Sequence, residues 1–214
     1  MAPGSTSPGG RSQSERRGRK SRLAVLLSGR GSNFEAIADA VESGRIPNAE
    51  VVAVVSDVAD ARGLARARER ALPAFAVDRN RFPSRAEHEA AILRILDEAR
   101  PDLVCLAGYM RILSPHFVAR WRSRILNIHP SLLPKYRGVS PQKRAIEAGE
   151  RVSGCTVHVV DEGTDTGPVV LQREVRLEPG DSEESLSARI LEQEHAAYPE
   201  AIVRVLEELE KGGK

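Results

Sequence analysis

Short apolar runs alternate with helix-like segments along the chain from Arg22 onward, and this alternation restricts the fold more than any other feature. The run LAVLL at 23–27 precedes a segment whose apolar residues recur at helical spacing, and VVAVVS at 51–56 begins a second such pair. Continuous apolar runs of about four to eight residues are typical of parallel strands that are buried on both faces. The sequence therefore predicts an α/β fold with an open, twisted, mostly parallel sheet and helices on both faces.

The C-terminal half departs from this regular alternation. The apolar segments SGCTVHVV and PVVLQREVRL are predicted to form a pair of strands around the turn-rich stretch EGTDTG. A helical pattern then runs from about residue 182 to the end of the chain. We expect Pro199 to bend or interrupt this helix, because proline removes a backbone hydrogen-bond donor.

The first 21 residues differ in composition from the rest. Residues 1–21 are rich in Ser, Gly, Pro and Arg and carry five basic groups against one acidic group. They are predicted to form a disordered basic tail, and residues 22–214 a single domain. The domain then carries 27 basic and 29 acidic groups. A body so close to neutrality gives no electrostatic reason to expect a nucleic-acid partner.

Apolar segments and cysteines indicate the compartment. No apolar stretch approaches the roughly 20 residues of a membrane helix, and no secretory signal is visible, so no membrane partner is expected. Cys105 and Cys155 each lie in an apolar run. Buried reduced thiols are the expected state, rather than a disulfide or a zinc site. We therefore expect a cytoplasmic protein.

The stretch SGRGSN at 28–33 lies between a predicted strand and a predicted helix. Its glycines allow a sharp turn and close approach to a ligand, and the following helix N-terminus favours an anion. It has neither the later glycine of a dinucleotide fingerprint nor the GK[ST] of a Walker loop. A phosphate site and an ordinary strand–helix turn both remain open.

Two later stretches carry polar groups suited to acyl chemistry. Asn127 and His129 are two residues apart on a predicted strand, so they share a face. An amide can donate to an oxyanion and an imidazole can polarise a carbonyl or move a proton; a packing role for the histidine is the alternative. The loop DEGTDTGP contains Asp165, for which a solvated acidic turn is the alternative. His158 is interpreted as a packing residue.

The order and spacing of SGRGSN, PSRAEHE, LAGYMRIL, LNIHPSLLPKY, HVVDEGTDTGP and EQEHAAYP resemble the phosphoribosylglycinamide formyltransferase family. The resemblance covers about residues 22–208 and implies the Rossmann-like formyltransferase fold. It implies transfer of the formyl group of 10-formyltetrahydrofolate, a cosubstrate, to the amine of N1-(5-phospho-D-ribosyl)glycinamide in purine (IMP) synthesis. Small molecules are the expected partners of a monomer or homodimer, and no metal is required.

The resemblance also implies roles for individual residues. The catalytic trio would be Asn127, His129 and Asp165. The ribonucleotide and its phosphate would contact Gly31, Ser32, Asn33, Gln193 and Glu194. The formyl-folate site would comprise Arg85, Met110, Arg111, Ile112, Leu113, Asn127, Val160, Asp161, Glu162, Gly163, Thr164 and Asp165. In the implied chemistry, Asn127 and a protonated His129 stabilise the oxyanion, and a water held by Asp165 carries the amine proton to the leaving folate nitrogen.

One segment departs from the family pattern. Residues 137–149, RGVSPQKRAIEAG, lack the histidine that the family usually has there and resemble folate formyltransferases that act on initiator methionyl-tRNA. Arg137, Lys143 or Arg144 is a candidate to contact the phosphate instead. The alternatives are another formyltetrahydrofolate-dependent transferase or hydrolase, a nucleotide-binding module that uses SGRGSN alone, and a structural α/β protein without a ligand.

Overall fold

The computed structural model describes residues 19–211. Strands and helices alternate along the first part of the chain, as predicted. In chain order they are β1 Ser21–Leu27, α1 Ser32–Glu42, β2 Ala49–Ser56, α2 Arg62–Glu69, β3 Ala74–Ala76, a 3-10 turn at Arg79–Arg81, α3 Arg85–Ala99, β4 Leu103–Leu106, α4 Pro115–Arg120, β5 Ile125–His129, α5 Pro141–Glu147, β6 Val152–Val159, β7 Val169–Arg176 and α6 Glu183–Lys211.

The strands form one sheet in the order β3-β2-β1-β4-β5-β6-β7. The five strands from β3 to β5 are parallel, whereas β6 pairs antiparallel with β5, and β7 with β6. The predicted open, mostly parallel sheet is confirmed. Strands β2 and β3 extend the sheet on one side of β1, whereas β4 and the strands after it extend the sheet on the other side. The point at which the order of the strands changes direction, the switch point, therefore lies between β1 and β4. Open α/β sheets bind ligands beyond the carboxyl ends of the strands at such a switch point.

Helices cover both faces of the sheet, which explains the unbroken apolar runs of the central strands. On β1, Leu23, Val25 and Leu27 pack in one core with α1, α2 and α6. Ala24 and Leu26 face the opposite core, with α3 and α4. All five side chains are fully buried. Because β1, β4 and β5 are neighbouring parallel strands, the loops that follow them lie at the same edge of the sheet.

The structure corrects two details of the predicted elements. Helix α6 runs through Pro199 without interruption. The proline ring is buried, as are its neighbours Tyr198 and Ala201, so packing against the sheet compensates for the missing backbone hydrogen bond. The folded body also begins earlier than Arg22: Ser21 is the first residue of β1, and the Arg19 guanidinium binds the Asp102 carboxylate at 2.6 and 2.9 Å. The rest of the predicted tail, residues 1–18, lies outside the described residues.

Two further features of the described part of the chain concern the length of its helices and the state of its cysteines. None of its helices is long and apolar enough to cross a membrane. Cys105 and Cys155 are unpaired and buried, as predicted. Burial raises the pKa of the Cys155 thiol to about 12 and that of Cys105 further still, so both remain protonated.

Candidate active site

The turn after β1 is shaped by close backbone contact. Gly31 adopts a left-handed conformation with φ of 80°, and a Cβ at this position would lie 2.6 Å from the Gly63 Cα atom. Gly63 itself donates its N–H to the Gly29 carbonyl at 3.1 Å. Helix α1 begins at Ser32 and no side chain caps it, so the N–H groups of its first turn point toward the space beyond β1. This geometry can receive an anion.

A cavity of about 480 Å³ opens beside this turn, at the switch point between β1 and β4. Its size lies within the range of small-molecule sites, about 300–1,000 Å³. The turn after β1, the segment after β4, the end of β5, α5 and α6 all contribute to it. The residues that line it are Ser28, Gly29, Arg30, Gly31, Ser32, Asn33, Ala107, Gly108, Met110, Ile128, Pro130, Gln142, Ser187, Ile190, Leu191 and Glu194.

Glu194 is the acidic group of this cavity. It is 6% exposed, and its carboxylate accepts a hydrogen bond from Asn33 Nδ2 at 2.8 Å. Burial raises the pKa of Glu194 to about 6, against the opposing effect of the Asn33 hydrogen bond. Gln193, which the resemblance also placed near the ribonucleotide, is not among the lining residues. Successive helical side chains point about 100° apart, so Gln193 and Glu194 face different directions.

Asn127, His129 and Asp165 lie together at the end of β5. Asn127 and His129 project from the same face of the strand, and the loop between β6 and β7 brings Asp165 to both. Asp165 Oδ1 lies 3.5 Å from Asn127 Nδ2, and Asp165 Oδ2 lies 3.4 Å from His129 Nδ1. Asp165 has a positive φ of 53°, a conformation that aspartate adopts more readily than most residues. The structure thus brings together the three residues predicted from sequence; their catalytic roles stay a prediction.

The chain after β5 closes over this cluster. His129 Nε2 lies 3.0 Å from the Tyr136 carbonyl oxygen, and the Gly138 N–H donates to Asp165 Oδ2 at 2.9 Å. Both ring nitrogens of His129 therefore face oxygen atoms that only accept hydrogen bonds. A protonated ring would find a partner for each of its N–H groups.

His158 is a member of the cluster that the sequence interpretation missed. It is 2% exposed and lies opposite Asn127 in the antiparallel pairing of β5 and β6. Its Nε2 atom lies 3.2 Å from Asn127 Nδ2 and 3.5 Å from Asp165 Oδ1. Its place at the start of HVVDEGTDTGP was the available signal, but the strand register that sets it beside Asn127 could not be derived from the sequence.

The electrostatics of the cluster favour an ionised Asp165. Burial acts to raise the pKa of this carboxyl group, but the neighbouring His158 ring, the Gly138 N–H and the charge of His129 outweigh it. The pKa of Asp165 is therefore held below its ordinary value. A carboxylate at this point can accept a hydrogen bond from a water molecule or from a protonated imidazole.

A second group of predicted residues lies at the neighbouring edge, around the segment after β4. Arg85 donates to Glu89 at 2.9 Å and to the Ile112 carbonyl at 2.5 Å, so it is fixed against this segment. Met110 is 77% exposed and Ile112 is 62% exposed, which leaves apolar surface on this segment. Leu113, in contrast, is buried in the core beneath.

The loop from Val160 to Thr164, predicted to wrap the folate, is held in shape by its own contacts. The Asp161 carboxylate accepts hydrogen bonds from the Gly163 N–H at 3.1 Å and from the Thr166 hydroxyl at 2.6 Å. Val160 packs against the core with α3 and α4, and Glu162 is exposed. The loop thus reaches from the core to the exposed surface on its way to Asp165.

The candidate phosphate contacts of residues 137–149 are not where the hypothesis put them. Lys143 lies 3.8 Å from Glu147, and Arg144 donates to the Arg137 carbonyl at 2.7 Å while stacking over the Tyr136 ring. None of these cations lines the cavity, because α5 turns Gln142 toward it instead. In residues 19–211, no group of three or more His, Cys, Asp or Glu side chains is arranged to hold a metal ion.

The fold is α/β, and it carries amide, imidazole and carboxylate groups, the types that acyl-transfer enzymes use, near a turn whose free N–H groups can receive an anion. The chain belongs to the formyl transferase family, which its sequence matches over residues 21–202. The family relationship predicted from the motifs is confirmed.

Bacterial relatives match the chain over most of its length. It is 48% identical over 178 residues to phosphoribosylglycinamide formyltransferase of Haemophilus influenzae, covering 83% of this chain and 84% of that protein. The solved structure of glycinamide ribonucleotide transformylase 1 from Symbiobacterium toebii is 47% identical, with a TM-score of 0.84 and 87% of each chain covered. The Brucella melitensis phosphoribosylglycinamide formyltransferase structure is 46% identical, with a TM-score of 0.83, covering 87% of this chain and 95% of that one.

Animal relatives are much longer. The chain is 49% identical over 189 residues to the trifunctional purine biosynthetic protein adenosine-3 of Drosophila melanogaster, covering 88% of this chain. It spans only 14% of the length of that relative. The similarity to the trifunctional protein therefore concerns one part of it.

Proposed function

We propose that this protein transfers the formyl group of 10-formyltetrahydrofolate to the amine of N1-(5-phospho-D-ribosyl)glycinamide, in the purine (IMP) pathway. The products are formylglycinamide ribonucleotide and tetrahydrofolate. The observation that carries the proposal is the Asn127, His129 and Asp165 cluster at the end of β5, the strand whose Ile128 lines the cavity beside the turn. The 48% identity to the Haemophilus influenzae enzyme supports it.

Each substrate has a distinct part of the site. The N–H groups of Ser32 and Asn33 receive the phosphate of the ribonucleotide, and Glu194 faces the rest of that substrate across the cavity. The formyl-folate lies against Arg85 and the Met110–Leu113 segment, of which Met110 and Ile112 are exposed, with the loop from Val160 to Asp165 around its ring system. This arrangement brings the acceptor amine and the formyl carbon together at Asn127, and such positioning lowers the barrier by several kcal/mol.

The chemistry is an attack of a neutral amine on the formyl carbon. Asn127 and His129 donate to the oxygen as it becomes an oxyanion. His129 does so when the substrate replaces one of its two oxygen partners in the present structure, Asp165 or the Tyr136 carbonyl. The amine loses its proton through a water held by Asp165, and the leaving folate nitrogen gains it as the tetrahedral intermediate collapses. The residues supply every step without a covalent enzyme intermediate.

The same proposal includes the cellular compartment, the part of the chain that catalysis needs and the oligomeric state. The reaction takes place in the cytoplasm, which fits the two unpaired cysteines, because reducing compartments keep thiols free. Catalysis needs only the single domain whose contacts begin at Arg19, and the protein works with small-molecule partners as a monomer or homodimer.

The test is a formyl-transfer assay on the purified full chain with 10-formyltetrahydrofolate as donor. Parallel reactions contain glycinamide ribonucleotide, initiator methionyl-tRNA, or water alone as acceptor. We expect rapid formylation of glycinamide ribonucleotide only. Preferred formylation of the tRNA would establish another transferase, and release of formate in water at the same rate would establish a hydrolase. Binding of nucleotide without any turnover would reduce the protein to a binding module.

A further inference from the structure

The charge balance of the cavity rests on one exposed side chain. Among the lining residues, all of which fall in the described part of the chain, Arg30 is the single cation and Glu194 the single acid. A phosphate monoester carries a charge of about −1.5 to −2 near neutral pH. The partial charge of the α1 N-terminus, roughly half an elementary charge, is too small to balance such a group beside an ionised Glu194.

Arg30 has the position and the freedom to supply the missing charge. It lies between Gly29 and Gly31 in the turn itself, is exposed, and lines the cavity. No hydrogen bond or ion pair within residues 19–211 engages its guanidinium group, whereas Arg66 in nearby α2 binds Glu35 and Arg70, directly after α2, binds Asp39. The guanidinium of Arg30 is therefore available to a ligand.

A second cavity of about 400 Å³ lies on the other side of Arg30, lined also by Glu183 and Glu184 at the start of α6. The guanidinium thus lies between a carboxylate-lined groove and the N–H groups of the turn. A phosphate group in the turn offers two oxygen atoms in the geometry that a guanidinium matches with paired hydrogen bonds. Glu183 and Glu184 are exposed, and an ion pair with a solvated carboxylate contributes little.

We propose that Arg30 recognises the phosphate of the acceptor and makes the enzyme select phosphorylated over dephosphorylated glycinamide ribosides. This inference rests on the proposed function and adds a specificity-determining residue to it. Arg30, at the N-terminus of α1, thus takes the phosphate contact that the sequence analysis expected from a cation in residues 137–149.

The experiment compares Arg30→Gln and Arg30→Lys with wild type, with Arg94→Gln as the matched control. Arg94 is an exposed arginine of α3 on the opposite side of the sheet. We expect Arg30→Gln to raise the KM for glycinamide ribonucleotide about 10- to 100-fold, as removal of a charge-assisted hydrogen bond does, with kcat within about twofold. The KM for the dephosphorylated acceptor and the affinity for a folate analogue stay unchanged. Arg30→Lys gives an intermediate KM, and Arg94→Gln behaves as wild type.

Two results would overturn the assignment. An unchanged KM for the ribonucleotide in Arg30→Gln means that the turn N–H groups suffice. An equal rise in KM for both acceptors means that Arg30 acts on another part of the substrate or on the fold. Inorganic phosphate separates this inference from the proposed function: it should raise the Tm of wild type but not that of Arg30→Gln, even if wild type fails to formylate glycinamide ribonucleotide.

Discussion

The turn at 28–33 and the cluster around β5 are two halves of one site that are built in different ways. The turn consists of consecutive residues and presents mainly backbone N–H groups, in a conformation that the Gly31–Gly63 contact requires. The cluster consists of side chains from β5, β6 and a loop, which hold one another in place. Substitution of the contact glycine in the turn should therefore act through the fold, and substitutions in the cluster through the chemistry.

The largest effect should come from the cluster. Asn127→Ala, His129→Ala and Asp165→Asn should each lower kcat by about 10²–10³, the usual cost of removing an oxyanion donor or a group that assists proton transfer. The Tm should change little, because none of these side chains belongs to the two apolar cores that cover the sheet. Steady-state kinetics and thermal unfolding on the same preparations measure both quantities.

A double variant tests whether the cluster acts as a unit. Groups that cooperate in one step show strongly non-additive losses. Combining His129→Ala with Asp165→Asn should therefore cost far less than the product of the single losses. Full additivity, or near-normal turnover of His129→Ala, would contradict the mechanism proposed for these residues.

The second effect should come from the turn and should appear first in stability. Gly31→Ala introduces a Cβ at a positive φ and 2.6 Å from the Gly63 Cα atom. We expect a loss of about 2–3 kcal/mol in the free energy of unfolding, since overpacking against the backbone adds to the left-handed strain. Gly29→Ala is the matched control, because nothing lies within 4 Å of its added Cβ. Equal stability of the two variants in urea unfolding would contradict the close-contact argument.

The contrast between residues that are consecutive in the chain and residues that only the fold brings together explains what the sequence could predict. The apolar runs of β1, β2 and β4 indicated buried strands because residues on both of their faces enter a core. The turn was visible because its residues are consecutive, and Asn127 and His129 because strand spacing puts them on one face. His158 was not visible, because only the antiparallel register of β6 sets it opposite Asn127. The orientation of α5 was also hidden, so that Gln142, rather than Lys143 or Arg144, lines the cavity.

The third effect concerns Glu194. Its side chain accepts a hydrogen bond from Asn33 of the turn, the half of the site that otherwise presents mainly backbone N–H groups. Its folded-state pKa of about 6 lies above the ordinary value of 4.5. The folded protein therefore binds more protons than the unfolded chain between these values, and stability falls as pH rises through this interval. Above it, the ionised Glu194 costs about 2 kcal/mol, from roughly 1.4 kcal/mol per pKa unit.

Glu194→Gln should remove this cost. Its amide oxygen can still accept from Asn33 Nδ2, so the contact with the turn is kept. We expect the variant to gain about 2 kcal/mol over wild type at pH 7.5 but almost nothing at pH 4.5, measured by urea unfolding at both pH values. The KM for glycinamide ribonucleotide should rise, because the carboxylate that faces the substrate is lost. A pH-independent difference in stability would contradict the assigned ionisation.

The smallest effect should come from His158, which positions Asn127 and Asp165. Replacing it with Phe keeps most of the ring volume but removes both nitrogen atoms, so Asn127 loses a neighbour at 3.2 Å and Asp165 one at 3.5 Å. We expect kcat to fall about tenfold, the lower range for hydrogen bonds to a charged group. Loss of the His158 interaction should also raise the pKa of Asp165, because that interaction is among those that keep it low. Activity that needs the carboxylate would then disappear at a higher pH on the acid side of the kcat profile.

His158→Gln is the matched control, since its amide can accept from Asn127 and donate to Asp165, and it should restore both kcat and the acid limb. If Phe and Gln lower kcat equally and leave the acid limb where it is in wild type, His158 serves only to pack β6 against β5, and the cluster is limited to the three residues visible in the sequence.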